Sequence, residues 1–283
     1  MPSGSPFAAA LFGLASAASW GTGDFAGGLA TKKTSAYIVV LISQIVGLIL
    51  LTGLALLMGE PFPGPKDMLM GTVGGLAGLV GLLALYQGLS RGRMGVVAPI
   101  AAVITTLPPV FVSIWLEGWP GSRPLVGFIV AVVGVWLISR TEDEGRIARQ
   151  DLILAGVAGL GFGSFYIFLD QVSEGAVLWP LVGARLASVI LLAVVVAVVL
   201  RPRSKPTLQQ LPIIALAGLG DTGGNAFFLL AAQAGRLDVA AVLSSLYPAT
   251  TVLLAWLVLR ERLQGGQWWG VAAALLAVVL ITG

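Results

Sequence analysis

The chain has 283 residues, 57% of them hydrophobic and 10% charged, with a mean hydropathy of +0.97. Soluble domains carry about 25% charged residues, so a water-soluble core of this size is excluded and an all-α integral membrane protein is expected. The net charge of +3 comes from basic residues in short loops, where they orient a chain in a bilayer and do not call for a nucleic-acid partner. With no Cys and no His, disulfides, thiol nucleophiles, zinc clusters, haem ligation and imidazole acid–base chemistry are also out, and no cofactor or metal is expected.

Ten apolar segments follow one another, at about 7–27, 36–57, 68–89, 95–116, 123–140, 152–170, 177–200, 211–233, 238–259 and 266–282. Their connections are short and carry Pro, Gly and charge. The first segment includes Ala15-Ser16-Ala17, which looks like a leader cleavage site. Met1–Pro6 has no positive residue, so the segment reads as a first membrane helix instead. In it Ser16, Trp20 and Asp24 are four apart and share a face. Asp24, near Lys32 and Lys33, is read as either an interfacial anchor or the mouth or gate of a pathway.

The third segment has Gly71, Gly74, Gly75 and Gly78, which let another helix approach closely. Tyr86 and Gln87 follow, and either is able to line a cavity. The fourth holds Pro99, Thr105, Thr106, Pro108 and Pro109. Three prolines predict an irregular helix there. In the sixth, Phe162 and Tyr166 share a face, and Asp170 and Glu174 read as a solvated rim.

The seventh segment carries Arg185 and Ser188. The eighth carries Asp221, Asn225 and Phe228 on one face. Counted at ~1.5 Å per residue from opposite ends, Arg185 and Asp221 lie at similar depth. If Arg185 is near, the two form a structural or gating clamp. If it points elsewhere, Asp221 is left to carry a proton or to meet a substrate's amino group. The ninth segment, Val239–Leu259, is 21 uncharged residues with Pro248 near its middle and Ser244, Ser245 and Tyr247 beside it. Trp256, Trp268 and Trp269 read as interfacial belt aromatics.

A shift of 143 residues superposes two halves without a gap. Gly13 falls on Gly156, Gly75-Leu76 on Gly218-Leu219, Gly92-Arg93 on Gly235-Arg236 and Gly127 on Gly270. Thr105 falls on Pro248, so breaks at matching depth are expected in both halves, beside a binding site. The halves are residues 1–140 and 151–283, with a charged linker at 141–150. Each holds five segments, an odd number, so the second must cross in the opposite sense. Inverted repeats of this kind place a substrate site between them near the midplane.

Twelve basic residues gather on one side: Lys32, Lys33, Arg91, Arg93, Arg140, Arg146, Arg149, Arg201, Arg203, Lys205, Arg260 and Arg262. The other side has Lys66, Arg123 and Arg236. The positive-inside rule makes the twelve cytoplasmic and puts both termini outside.

The tail, with Ser244-Ser245, the central Pro248, Glu261 in Leu259-Arg260-Glu261-Arg262-Leu263 and Gly270, resembles the carboxy-terminal half-module of the EamA family. That family lies within the drug/metabolite transporter superfamily, and the resemblance covers essentially the whole chain. It implies a bacterial inner-membrane carrier that exports small metabolites, often amino acids, by alternating access, and not an enzyme. It also implies a cavity lined by helices one, three, four, six, eight and nine. Many members of the superfamily are described with both termini inside, against the charge count.

Taken together, Trp20, Tyr86, Tyr166, Asp221, Asn225, Phe228, Ser244, Ser245 and Tyr247 are the candidate substrate residues. Pro99, Pro108, Pro248, Asp24 and Arg185 are the candidate gating or hinge residues. Aromatics beside hydroxyls and few charges suit a zwitterion, hence amino-acid export by a monomer, with protons as a candidate coupling ion. A phosphorylated substrate is disfavoured, since Arg185 is the only basic group available for it. A cationic-drug carrier, with Asp221 as its acid, and an uncoupled facilitator or pore are the alternatives.

Overall fold

The structure is a computed structural model that describes residues 6–90, 94–138, 149–200, 206–260 and 265–282. It is all-helical among these residues. The helices are α1 (Pro6–Thr31), α2 (Ala36–Met58), α3 (Pro65–Ser90), α4 (Met94–Glu117), α5 (Ser122–Ile138), α6 (Arg149–Asp170), α7 (Leu178–Val194), α8 (Leu211–Ala234), α9 (Leu237–Ser244), α10 (Tyr247–Leu259) and α11 (Gly265–Thr282). A π-helical stretch, Val195–Leu200, extends α7. Most of the expected linker, 141–148, lies outside the described residues, and its last two positions, Arg149 and Gln150, are already the first turn of α6.

Among the described residues seven spans are long and apolar enough to cross a membrane, and Ser122–Ile138 and Gly265–Ile281 are shorter apolar helices. The 26-residue α1 is not among the seven. Its glycines, hydroxyls and Asp24 dilute its apolarity. Large hydrophobic side chains point outward along the bundle, among them Leu57 (85% exposed), Trp115 (84%) and Trp269 (75%). In water such a surface would be a liability, whereas in a bilayer it is the lipid-facing wall. The chain is a multi-pass membrane protein.

Polar contacts tie the helix ends into two opposite sets. At one end, Glu60 accepts hydrogen bonds from the backbone N–H groups of Val177, Leu178 and Trp179. Asp67 accepts from Ser173, and Arg236 donates to the Gly118 carbonyl. At the other end, Thr34 donates to Gln210 and Gln267 to the Ile138 carbonyl. Consecutive long helices therefore run in alternating directions, with α9 and α10 together making one crossing.

The halves also pack by exchange. α1 lies on α8 as α3 lies on α6, and α2 lies on α8 as α7 lies on α3. Gly75 sits against Ala184 of α7, and its register mate Gly218 sits against Ser43 of α2. On the periphery α5 pairs with α11. A methyl group added to Gly127 would lie 2.7 Å from Cγ1 of Ile281, and one added to Gly270 would lie 2.7 Å from Cγ1 of Ile138. Ile138 and Ile281 are themselves 143 residues apart. Small residues at equivalent positions thus let equivalent helices approach, the usual basis of close packing where lipid and protein are equally apolar.

The two expected breaks differ. α4 is one continuous helix across Pro99, Pro108 and Pro109, against the irregular segment the prolines predict. Within it, the hydroxyls of Thr105 and Thr106 donate to the carbonyls of Ala101 and Val103, each at 2.8 Å. Pro108 packs beside Gly163 of α6, which has no side chain to exclude it. The ninth span does break, between α9 and α10. There Leu246 donates to the Leu243 carbonyl in a tightened turn, and the Ser245 hydroxyl takes the Val242 carbonyl at 2.7 Å. Pro248 follows in the first turn of α10, where a missing N–H is tolerated.

Candidate functional site

A cavity opens between the halves, bordered by side chains from α1, α2, α3, α6, α7, α8 and the start of α10. Its polar wall is Asp24, Gln44, Arg185, Ser188, Asp221 and Asn225. Its aromatic wall is Trp20, Phe162, Phe165, Tyr166 and Tyr247.

Arg185 and Asp221 meet, at 2.5 Å between Nη1 and Oδ2. Arg185 Nη1 also donates to Gln44 Oε1 at 2.6 Å, and Gln44 Nε2 donates to Asp221 Oδ2 at 3.4 Å. A triad from α2, α7 and α8 therefore joins the two halves. Of the two sequence readings for this pair, the geometry is that of a clamp. The guanidinium is not saturated. Its Nε and Nη2 are buried with no hydrogen-bond partner among the described residues, as is Thr222 Oγ1, and Nε and Thr222 flank the same glycine, Gly47.

Trp20 is held by its indole N–H, which donates to Asn225 Oδ1 at 2.9 Å. Its ring stacks on Tyr166 at 5.5 Å, and Tyr166 stacks on Phe228 at 4.0 Å. Phe228 is fully buried behind this stack and does not border the cavity. The stack fixes two aromatic faces, since each ring is clamped by another and not by a single rotamer preference.

Other sequence candidates fall elsewhere. Tyr86 does not border the cavity. It is buried against α1, with its hydroxyl donating to the Gly23 carbonyl at 3.4 Å. Gln87 bonds the Tyr37 hydroxyl at 2.9 Å. Ser244 donates to the Gly13 carbonyl, which packs α9 on α1, and Ser245 serves the break described above. The side chain of Pro99 lies outside the described residues. Asp24, read as an interfacial anchor or the mouth or gate of a pathway, borders the cavity, and Lys32 and Lys33 are exposed.

Gln44 was not singled out from the sequence, although it completes the clamp. A signal was there, because Gln44 and its neighbour Ser43 interrupt an otherwise strongly apolar run, and intramembrane amides are costly. Phe165 and Leu82 carry no such signal. Among the described residues no three acidic side chains gather to hold a metal ion.

At the end that carries Glu60, further polar contacts tie the helix ends together. Besides the Glu60 contacts, Arg236 bonds Asp238 at 2.8 Å, the Glu117 and Gly118 carbonyls and Ser113. The hydrogen bonds to Asp238 are the main reason the already high pKa of Arg236 is pushed further up, so this guanidinium stays charged at every working pH.

Pro248→Ala is expected to leave the protein folded and to slow transport several-fold. An alanine N–H can reach back to the Ser244 carbonyl and extend α9 into α10, stiffening the joint that presents Tyr247. Flux in proteoliposomes beside a thermal unfolding scan checks this. Unchanged flux would make the proline a packing feature only.

Comparison with known proteins adds the family. No protein with a curated description matches the chain. Among solved structures 27 chains match. One, titled only "Crystal structure of protein", has a TM-score of 0.78 and 17% sequence identity, covering 96% of this chain and 95% of its own. At that identity the likeness speaks for the fold. The profile of the EamA-like transporter family matches twice, over residues 7–140 and 151–283. The chain belongs to the EamA-like transporter family, within the drug/metabolite transporter superfamily, whose members are membrane transporters.

Proposed function

We propose that the protein exports small zwitterionic metabolites, amino acids first among them, across the bacterial inner membrane by alternating access. The two repeats would be inverted, ten crossings in all, with the cavity between them as the substrate site. The observation that carries this reading is the cavity itself. It combines fixed aromatic faces with both signs of charge at the interface of two exchange-packed halves. A solute with an ammonium, a carboxylate and an apolar side chain has a complement for each part there.

Alternating access is supported by the helix-end contacts and by the broken span. The Glu60 and Arg236 contacts tie the helix ends together on one side, and the broken α9–α10 span is the natural place for movement.

The test is a screen of radiolabelled amino acids, organic cations and phosphorylated metabolites in proteoliposomes, with and without a proton gradient. Zwitterion flux supports the proposal. Flux of phosphorylated metabolites alone would replace it.

Orientation follows the charge count, with the Glu60 end outside. The chain has no cysteine, so single replacements are clean probes. Phe62→Cys should react with an impermeant thiol reagent in intact spheroplasts, and Lys33→Cys only after lysis. The opposite pattern would reverse the orientation.

A further inference from the structure

We propose that Asp24 is the cavity's cation-accepting group, holding the solute's protonated amino group on the way out and a proton when the solute has left. This rests on the carrier reading above and gives that site its recognition chemistry.

The argument begins with charge. Two acidic side chains and one basic one border the cavity, Asp24, Asp221 and Arg185. The guanidinium of Arg185 is already committed to Asp221. Asp24 has no hydrogen bond or ion pair among the described residues. Asp221 from α8, Tyr166 from α6 and Tyr247 from α10 border the same cavity, and Tyr86 from α3 packs on Gly23 and Gly27 of α1 on either side of Asp24 in the chain; none of them is a cation. Arg185, on α7, is turned to Asp221 and Gln44. With both carboxylates ionised, the cavity carries one uncompensated negative charge, an expensive state at membrane depth. A single positive charge removes it.

The surroundings say what kind of charge fits. Trp20 is one turn before Asp24 on the same face of α1, and Tyr166 and Tyr247 border the same space. Aromatic faces beside a carboxylate are the surroundings in which an ammonium group loses least on leaving water. A metal ion would want several carboxylates at once, and among the described residues no three acidic side chains gather.

Occupancy by one charge at a time makes the exchange compulsory. As the solute's –NH₃⁺ docks from the cytoplasm, the carboxyl proton of Asp24 passes to cytoplasmic water. After the solute leaves outside, the carboxylate takes a proton from external water. One proton enters for each ammonium group exported, and no bond of the solute changes. A monocation would then be exported without net charge movement. A zwitterion would be exported with one positive charge moving inward, so the membrane potential would drive zwitterions and not monocations.

Dicyclohexylcarbodiimide, which modifies protonated carboxyl groups in apolar surroundings, tests this without knowing the solute. The purified full chain is labelled across a pH series, with phenethylamine or 3-phenylpropionate added, and the adduct is located by mass spectrometry. Label is expected on Asp24 and not on Asp221, falling as pH rises. Phenethylamine should protect it and 3-phenylpropionate should not. Asp24→Asn should lose the label, and Asp24→Glu should keep both label and protection. Label on Asp221 instead, or equal effects of the two probes, would overturn the proposal. A second arm measures phenylalanine and phenethylamine flux under a proton gradient. If Asp24→Asn retains gradient-driven flux, the Asp24 proposal fails while the carrier reading stands. If the labelling pattern holds and neither compound moves, the cation site stands and the amino-acid reading fails.

Discussion

Asp221→Asn is expected to destabilise the protein by about 3–5 kcal/mol, the cost of removing one partner from a buried ion pair. Arg185 is 4% exposed. Its carboxylate partner gone, the guanidinium would keep Gln44 as its acceptor, with Nε and Nη2 already unpartnered. Adding Arg185→Gln removes the stranded charge and should restore most of the loss. The pair would then show a coupling energy well outside that of independent sites. Thermal unfolding of the wild type, both single variants and the double variant in one detergent measures it. An Asp221→Asn protein with wild-type stability would mean that the pair is incidental. The clamp also has no counterpart in the other half, where the equivalent positions are Ile42 and Gly78. Gln44 reaches across from the first half to meet it. A purely structural tie between equal halves would not need this asymmetry, which fits a wall built for an unsymmetrical solute.

The larger features of this arrangement were legible in the residues. Apolar run lengths and loop punctuation anticipated an all-helical chain, in which seven spans among the described residues are long and apolar enough to cross a membrane. The 143-residue register anticipated glycines that the fold uses twice over, Gly75 with Gly218 and Gly127 with Gly270. Counting residues from opposite ends put Arg185 and Asp221 at one depth, and they meet. What stayed hidden is which way a side chain turns. In a soluble helix the apolar stripe marks the buried face. Here lipid and neighbouring helices are equally apolar, so Tyr86 gave no sign that it turns to the α1 backbone rather than the cavity. For Asp24, placed near Lys32 and Lys33, the sequence left both an interfacial anchor and the mouth or gate of a pathway open. The helix turns it inward, on the face that also carries Trp20. The prolines of α4 misled for a different reason. Proline removes a donor and crowds the preceding turn, yet α4 runs on without a break, with Pro108 fitted against Gly163 of α6.

Gly220→Val is expected to cost the most among single substitutions away from charge, because it acts where two backbones touch. A methyl group on Gly220 would lie 2.5 Å from the nitrogen of Gly23 and 2.7 Å from the Ser19 carbonyl oxygen. One on Gly23 would lie 2.9 Å from the nitrogen of Asp221. No flexible side chain stands at these points to give way, so α1 and α8 would have to part. Overpacking of a tight core costs about 1–3 kcal/mol and occasionally more. Parting these helices would also strain the Ser19 to Gly220, Ser16 to Gly224 and Trp20 to Asn225 hydrogen bonds, each worth about 1 kcal/mol. The effect should reach the cavity too, since Trp20 and Asp24 ride on α1 on either side of the contact, and Asp221 and Asn225 ride on α8. The expected result is little monodisperse protein, with no flux from what survives. Gly156→Ala is the control. It lies in α6, a methyl there meets nothing within 4 Å, and alanine is the better helix former by roughly 1 kcal/mol. That variant should fold and transport as the wild type does. If Gly220→Val behaves like Gly156→Ala, the α1–α8 crossing is looser than described, and the charge geometry built on it would have to be redrawn.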